Sequence, residues 1–338
     1  MYLLEPAYRD GTTHVVFDPP DFIARLAALV PRPRVNLTRH HGVLAPNLCW
    51  RRAGRIGFGR RVALSFLFHA LKGVEMAVES KDLFVDVPGG QVFIRQWTID
   101  GRSGAPIILL HDSLGSAEQW RSFPQALAAK TNRNVIAYDR LGFGRSTGRT
   151  SPAKADFIDE EAQVYLPAIV AALSLSHYIL FGHSVGGGMA LVAAATPGNH
   201  CAAVITESAQ AFVEERTLSG IRDAKSAFEN EAQFSRLAKW HGERAKWVLA
   251  AWTGVWLAPA FREWSLDPYL GKVHCPVLAM HGDSDEFGSC EFPRRITQGM
   301  RGQARMEILT PCGHVPHRGR ESDVLALVPG FLAENRIA

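Results

Sequence analysis

The feature that most constrains this chain is Gly182-His183-Ser184-Val185-Gly186, wedged between the apolar run Tyr178–Phe181 and the small-residue run Gly187–Ala195. The first run is short, rich in large apolar residues and fits a buried strand; the second fits a helix. A chain that leaves a strand and enters a helix within one residue brings two backbones almost into contact, and only glycine on either side allows that approach. The serine at the apex would sit in a strained turn with its hydroxyl exposed at the sheet edge.

The order on either side is regular. Lys81–Pro88 and Gln91–Trp97 read as two strands around the Gly89-Gly90 turn. Further strands are expected at Pro106–Leu110, Asn134–Tyr138, Ala203–Thr206, Pro276–Met280 and Ala304–Leu309, and helices at Ser116–Lys130, Phe157–Leu173 and Ser322–Asn335. Short buried strands alternating with helices imply an α/β fold: a mainly parallel central sheet with helices on both faces.

A serine hydroxyl is a weak nucleophile until a base takes its proton. In the chain order nucleophile, acid, base, the histidine should lie in the loop after the last strand, Pro311–His317. His314, preceded by Gly313, is the expected base, with His317 the near alternative. The loop after the strand at Pro276–Met280 holds Asp283, Asp285 and Glu286, of which Asp285 is assigned to orient the imidazole. Glu207 is a second possible acid. Two backbone N–H groups should meet the oxyanion, those of Val185 and of Ser113 in the loop Leu110–Gly115.

Charge separates the two ends of the chain. Residues 1–75 hold 11 Lys and Arg against 5 Asp and Glu, a surplus of +6, whereas the remainder carries −2. The 5 cysteines are scattered and odd in number, so no disulfide framework or zinc site is expected. That usage fits a reducing, cytoplasmic setting, and the acidic start without an apolar core argues against a signal peptide. The apolar stretch within residues 60–71 is too short to span a bilayer, so no membrane partner is expected.

The His111-to-Gly115 loop, Asp139–Ser146, Gly182–Gly186, Asp285 and His314 together resemble the α/β-hydrolase superfamily over residues 80–338. The resemblance implies an α/β-hydrolase fold and serine ester hydrolase chemistry with Ser184, His314 and Asp285, needing neither metal nor organic cofactor. A serine at the apex excludes the relatives that use aspartate there. Asp112 stands where the family usually has glycine. Tyr8–Phe17 through Asn36–Asn47 resembles the C-terminal tail of rolling-circle insertion-sequence transposases, so residues 1–50 read as a remnant with little order, 51–79 as a basic linker and Met76 as an ancestral start.

About 60 residues between Thr206 and Pro276 exceed what the sheet needs and read as a helical cap, at about 208–270. Five of the 8 tryptophans fall there. Trp252, Trp256 and Phe212, with His183 beside the nucleophile, are the expected substrate-binding residues, although Trp252 and Trp256 equally suit packing within the cap. The expected substrate is a small-molecule ester or lactone. A macrolide lactone is the specific expectation, because the body is similar to macrolide esterases and the tail suggests a mobile gene. A carbon–carbon bond hydrolase using Arg140 or Arg222 for a carboxylate is the alternative. So is a silent binding protein whose basic tail meets nucleic acid, although no nucleic-acid partner is expected.

Overall fold

The computed structural model describes residues 2–3, 14–15, 78–99 and 104–337. The chain divides into two compact units, Met1–Glu75 and Met76–Ala338. In the first, Tyr2–Leu3 pairs antiparallel with His14–Val15; the expectations for the remnant, the linker and the stretch at 60–71 otherwise fall outside the described residues.

The second unit is built on one eight-stranded sheet. Its strands are β1 (Val78–Val87), β2 (Gly90–Ile99), β3 (Ile107–Leu110), β4 (Val135–Tyr138), β5 (Tyr178–His183), β6 (Cys201–Glu207), β7 (Val277–Gly282) and β8 (Ala304–Leu309). They lie in the order β8-β7-β6-β5-β3-β4-β2-β1, parallel from β8 to β4, with β2 antiparallel to both its neighbours. Strands β3, β4, β5 and β7 are buried at every position, as parallel strands covered on both faces must be. Two apolar clusters fill the two faces. One, around Ile108, Leu180, Met189 and Val204, lies under the helix that follows the apex serine; the other, around Phe123, Phe181, Ile205 and Phe331, packs the opposite side.

The core helices are α1 (Phe123–Thr131), α2 (Phe157–Glu160), α3 (Leu166–Ala172) and α4 (Val185–Ala195). The single helix expected at Phe157–Leu173 is interrupted by a wider turn, Glu161–Tyr165, where buried Glu161 accepts a hydrogen bond from Tyr138 Oη at 2.7 Å. A turn at Ala117–Trp120 precedes α1, where one continuous helix was expected; Asp139 Oδ1 instead accepts the Ala117 N–H at 2.6 Å. The cap is helical: α5 (Glu215–Ala227), α6 (Glu231–His241), α7 (Ala245–Trp256) and α8 (Asp267–Leu270). Asn230 caps α6 through its side chain, and His241 at the far end ties the cap to the core through Gly144 N–H and Leu114 O. Helices α9 (Glu291–Gly299), α10 (Pro316–Gly319) and α11 (Glu321–Glu334) complete the unit. No helix among the described residues is long and apolar enough to cross a membrane.

Strand order reverses between β3 and β5, and the loops leaving their carboxyl ends open a crevice there. The turn into α4 is what makes the crevice narrow. A Cβ on Gly186 would lie 2.2 Å from Leu110 O, and one on Gly182 2.2 Å from Gly186 O. Both contacts are with backbone, which cannot step aside. Gly186→Ala should therefore cost about 3 kcal/mol, a Tm fall of about 6–12 °C. Gly254→Ala, at an exposed α7 position with nothing within 4 Å, should be neutral or raise stability by about 0.5–1 kcal/mol. Thermal unfolding of the two variants checks the contrast.

Candidate active site

Ser184 adopts φ 55° and ψ −126°, a region that side-chain-bearing residues rarely enter. Two features hold it there: its N–H donates to Glu207 O at 2.9 Å, and α4 starts at the next residue. Val185 N–H is thus the first of the helix, where backbone donors have no intrahelical acceptor. The side chain of Ser184 is buried, and its Oγ sits between the Oε1 and Nε2 atoms of Gln210, at 3.3 and 3.2 Å.

The loops after β7 and β8 bring Asp285 and His314 together. His314 Nδ1 lies 2.9 Å from both carboxylate oxygens of Asp285. Burial alone would raise the Asp285 pKa, but the hydrogen bond to His314 and the charges of His314 and His281 outweigh it, and the carboxyl is held below its usual range. Phe287 N–H also donates to Asp285 Oδ1, at 2.8 Å. With Nδ1 committed to Asp285, His314 has Nε2 left for a proton from elsewhere. Glu286, beside the acid, accepts the backbone N–H of His314 at 3.3 Å. Asp283 instead accepts the N–H of Cys312 at 3.0 Å and so fixes the same loop.

Ser184, Gln210, His314, Ser113 and Asp112 line one cavity of about 190 Å³. Trp252, Trp256, Phe287, Ile221 and Leu114 form its apolar wall. A second lobe, holding Arg140, Phe143 and Trp247, shares Ser113, Trp252 and Trp256 with it. The two expected substrate residues Trp252 and Trp256 are thus on the cavity. Phe212 is not: its ring packs edge-on against Phe292 at 5.0 Å and its backbone bridges to Ser265, because the chain turns inward directly after β6. His183 is not on that wall either. Its ring lies behind the lining residues, 5.1 Å from the ring of His314, and is 2% exposed.

His183 explains Asp112. Its Nδ1 lies 3.4 Å from Asp112 Oδ2, and its Nε2 contacts His314 O at 2.8 Å. Burial would lower the His183 pKa, but Asp112 and Glu207 reverse that and lift it to about 9. Asp112 is held well below the usual carboxylate range by the same contact, which its own burial opposes. Its Oδ1 accepts the Leu114 N–H at 3.0 Å. The carboxylate is therefore spent on the loop and on His183.

The alternative base and the alternative acid pair with each other. His317 Nδ1 is hydrogen-bonded to Glu207 Oε1, and its N–H donates to Oε2 at 3.1 Å. Both are buried, with Trp120 stacked on the imidazole at 4.5 Å, and neither lines the cavity of Ser184. Burial pushes the His317 pKa below its ordinary value; burial would raise that of Glu207, but His317 and His183 outweigh it and lower it. His183, Glu207 and His317 form the one cluster of metal-ligand composition among the described residues, their ligand atoms within 4.8 Å of one another. Within it Glu207 is hydrogen-bonded to His317, while the two ring nitrogens of His183 are taken by Asp112 and His314 O.

A family model for the alpha/beta hydrolase fold matches residues 105–317. The chain belongs to the alpha/beta hydrolase family. The chain is 29% identical over 257 residues to a non-heme haloperoxidase of Rhodococcus erythropolis, covering 67% of this chain and 90% of that protein. It is 26% identical over 251 residues to the mouse serine hydrolase BPHL, covering 69% and 80%. Among solved structures, the enol-lactonase from Burkholderia xenovorans LB400 superposes with a TM-score of 0.59 at 17% identity, over 74% of this chain and all, 100%, of that one. A transposase family model matches residues 1–52.

Sequence patterns did not single out Gln210 or pair His183 with Asp112, since each contact joins positions far apart in the chain. The His183–Asp112 pair has a pH signature. A pKa raised from 6.5 to about 9 contributes stability that is complete below pH 6.5 and lost as pH rises through 9. Urea unfolding of the wild type should lose roughly 3 kcal/mol across that window. His183→Gln should be less stable at pH 6.5 and lack that part of the slope; equal slopes would refute the pairing.

Proposed function

We propose that the protein is a carboxylic ester hydrolase acting through an acyl-enzyme on Ser184. The observation that carries this reading is a strained serine and a His314–Asp285 pair on one apolar-walled cavity. In the first half-reaction Ser184 Oγ leaves Gln210, gives its proton to His314 Nε2 and attacks the carbonyl carbon, whose π pair moves to oxygen. Asp285 stabilises the imidazolium, and the N–H groups of Val185 and Ser113 meet the oxyanion. Collapse expels the alkoxide, which takes the proton from His314. Water then repeats the sequence on the acyl-enzyme and releases the acid.

The cavity wall suits an acyl or alcohol group that is bulky and largely apolar. The finer reading is a lactone, and specifically the ring of a macrolide antibiotic; its support is the aromatic wall together with the transposase-like segment, since mobile genes often confer drug resistance. The carbon–carbon bond alternative has less support: Arg222 is an exposed partner of Glu215, and the Arg140 guanidinium already donates to Asp112 O.

A short-chain nitrophenyl ester and a sixteen-membered macrolide, incubated side by side, test both levels. Wild type should cleave the ester and add one water to the macrolide. Ser184→Ala and Asp285→Asn should each lower kcat by about 10⁴-fold. Ester cleavage with the macrolide left intact removes the finer reading. Cleavage by Ser184→Ala at the wild-type rate removes the whole of it.

A further inference from the structure

We propose that Arg140 is a positioning residue for the oxyanion site, acting through the Asp112–Ser113 peptide. The inference rests on the serine-hydrolase reading above. Arg140 is 4% exposed and leaves β4 in the turn that follows it. Its Nη2 donates to Asp112 O at 2.8 Å. His111 reaches the same oxygen: its Nε2 accepts the backbone N–H of Arg140 at 3.1 Å, which leaves Nδ1 as the protonated nitrogen, 2.8 Å from Asp112 O. Gly115 N–H adds a third donor at 3.3 Å.

A trans peptide carries its C=O and N–H on opposite sides. Three donors on the Asp112 carbonyl therefore aim the Ser113 N–H the other way. Leu114 and Gly115 have their N–H groups engaged by Asp112, whereas that of Ser113 has no partner among the described residues, and Ser113 lines the cavity. A charged donor on a carbonyl also polarises the N–H of the same peptide, since hydrogen bonds in a chain strengthen one another.

The guanidinium makes no ion pair among the described residues, and buried Glu161 is the carboxylate that acts most strongly on its charge. The guanidinium lies 4.1 Å from the Phe143 ring centroid, no carboxylate among the described residues comes within 4.0 Å of it, and its buried Nε has no hydrogen-bond partner. Its positive charge lies one peptide from the N–H proposed to meet the oxyanion. Asp112, the departure from the family glycine, belongs to the same assembly: its side chain anchors the loop to His183 while its carbonyl is held by Arg140.

The test compares wild type with Arg140→Gln and Arg140→Lys on an ester substrate and on a matching aryl trifluoromethyl ketone. Ser184 Oγ adds to that ketone, its proton passes to His314 and the carbonyl pair becomes a bound oxyanion, so the inhibition constant reads oxyanion stabilisation in the ground state. Arg140→Gln should lower kcat about 30–100-fold with KM changed less than threefold, and raise the inhibition constant by the same factor. Arg140→Lys, keeping the charge, should recover part of both. Inhibition constants for both variants within twofold of wild type would overturn the proposal, whatever happens to kcat. If Arg140→Gln does not fold, Arg140→Lys alone decides by whether its kcat and inhibition constant move together. A wild type that the ketone does not inhibit, and whose activity survives Ser184→Ala, would instead sink the serine reading itself.

Discussion

The close approach of the Ser184 turn to its neighbours is the constraint on which the rest of this molecule depends. Gly186 sits against the carbonyl of Leu110, and Gly182 against Gly186, with no room for a methyl group. That contact joins β5 and α4 to the end of β3 at the point where strand order reverses. It puts the serine, the first N–H of α4 and the 111–115 loop around the same few ångströms of space. Burial of the small-residue helix α4 at every position follows, since a helix so close to the sheet must be covered on all sides.

Around that junction the charges are arranged in two chains. On the cavity side, Asp285 orients His314 and is itself backed by His281, 3.5 Å away. Beneath the elbow, Asp112, His183, Glu207 and His317 alternate carboxylate and imidazole. Burying so many ionisable groups is tolerable only because each is paired or hydrogen-bonded. The lower chain also supports the upper one mechanically, since His183 holds the carbonyl of His314 and Glu207 accepts the N–H of Ser184. The two histidine–carboxylate pairs are chemically alike, and what separates them is the serine: His314 lies on the cavity of Ser184, and His317 lies beside Trp120 outside it.

The sheet was largely legible because its strands are short, apolar and punctuated by glycine and polar loops; all eight, β1–β8, lie within a few residues of the expected runs. The elbow was legible because its glycines are a local requirement. His314 and Asp285 could be named because loop position after a strand is a property of chain order. What could not be read was which side chain meets which across the fold. Phe212 looked like a cavity residue from its place in the cap, yet it packs on Phe292. His183 looked like a cleft residue from its place beside Ser184, yet it is buried against Asp112 and the carbonyl of His314. Gln210 and Arg140 make contacts 26 and 28 residues away in sequence, and nothing local marks those contacts. The break in the helix after Phe157 follows from Glu161, whose carboxylate is drawn inward to Tyr138.

The central claim is that Ser184 is the atom-bearing nucleophile of this site. Labelling the intact protein with an alkyl fluorophosphonate, then mapping the adduct by peptide mass spectrometry, tests it without assuming a substrate. The account predicts one adduct, on the peptide carrying Ser184, forming more slowly by orders of magnitude in a His314→Gln variant. An adduct on another residue, or ester cleavage by a protein whose Ser184 stays unlabelled, would contradict it.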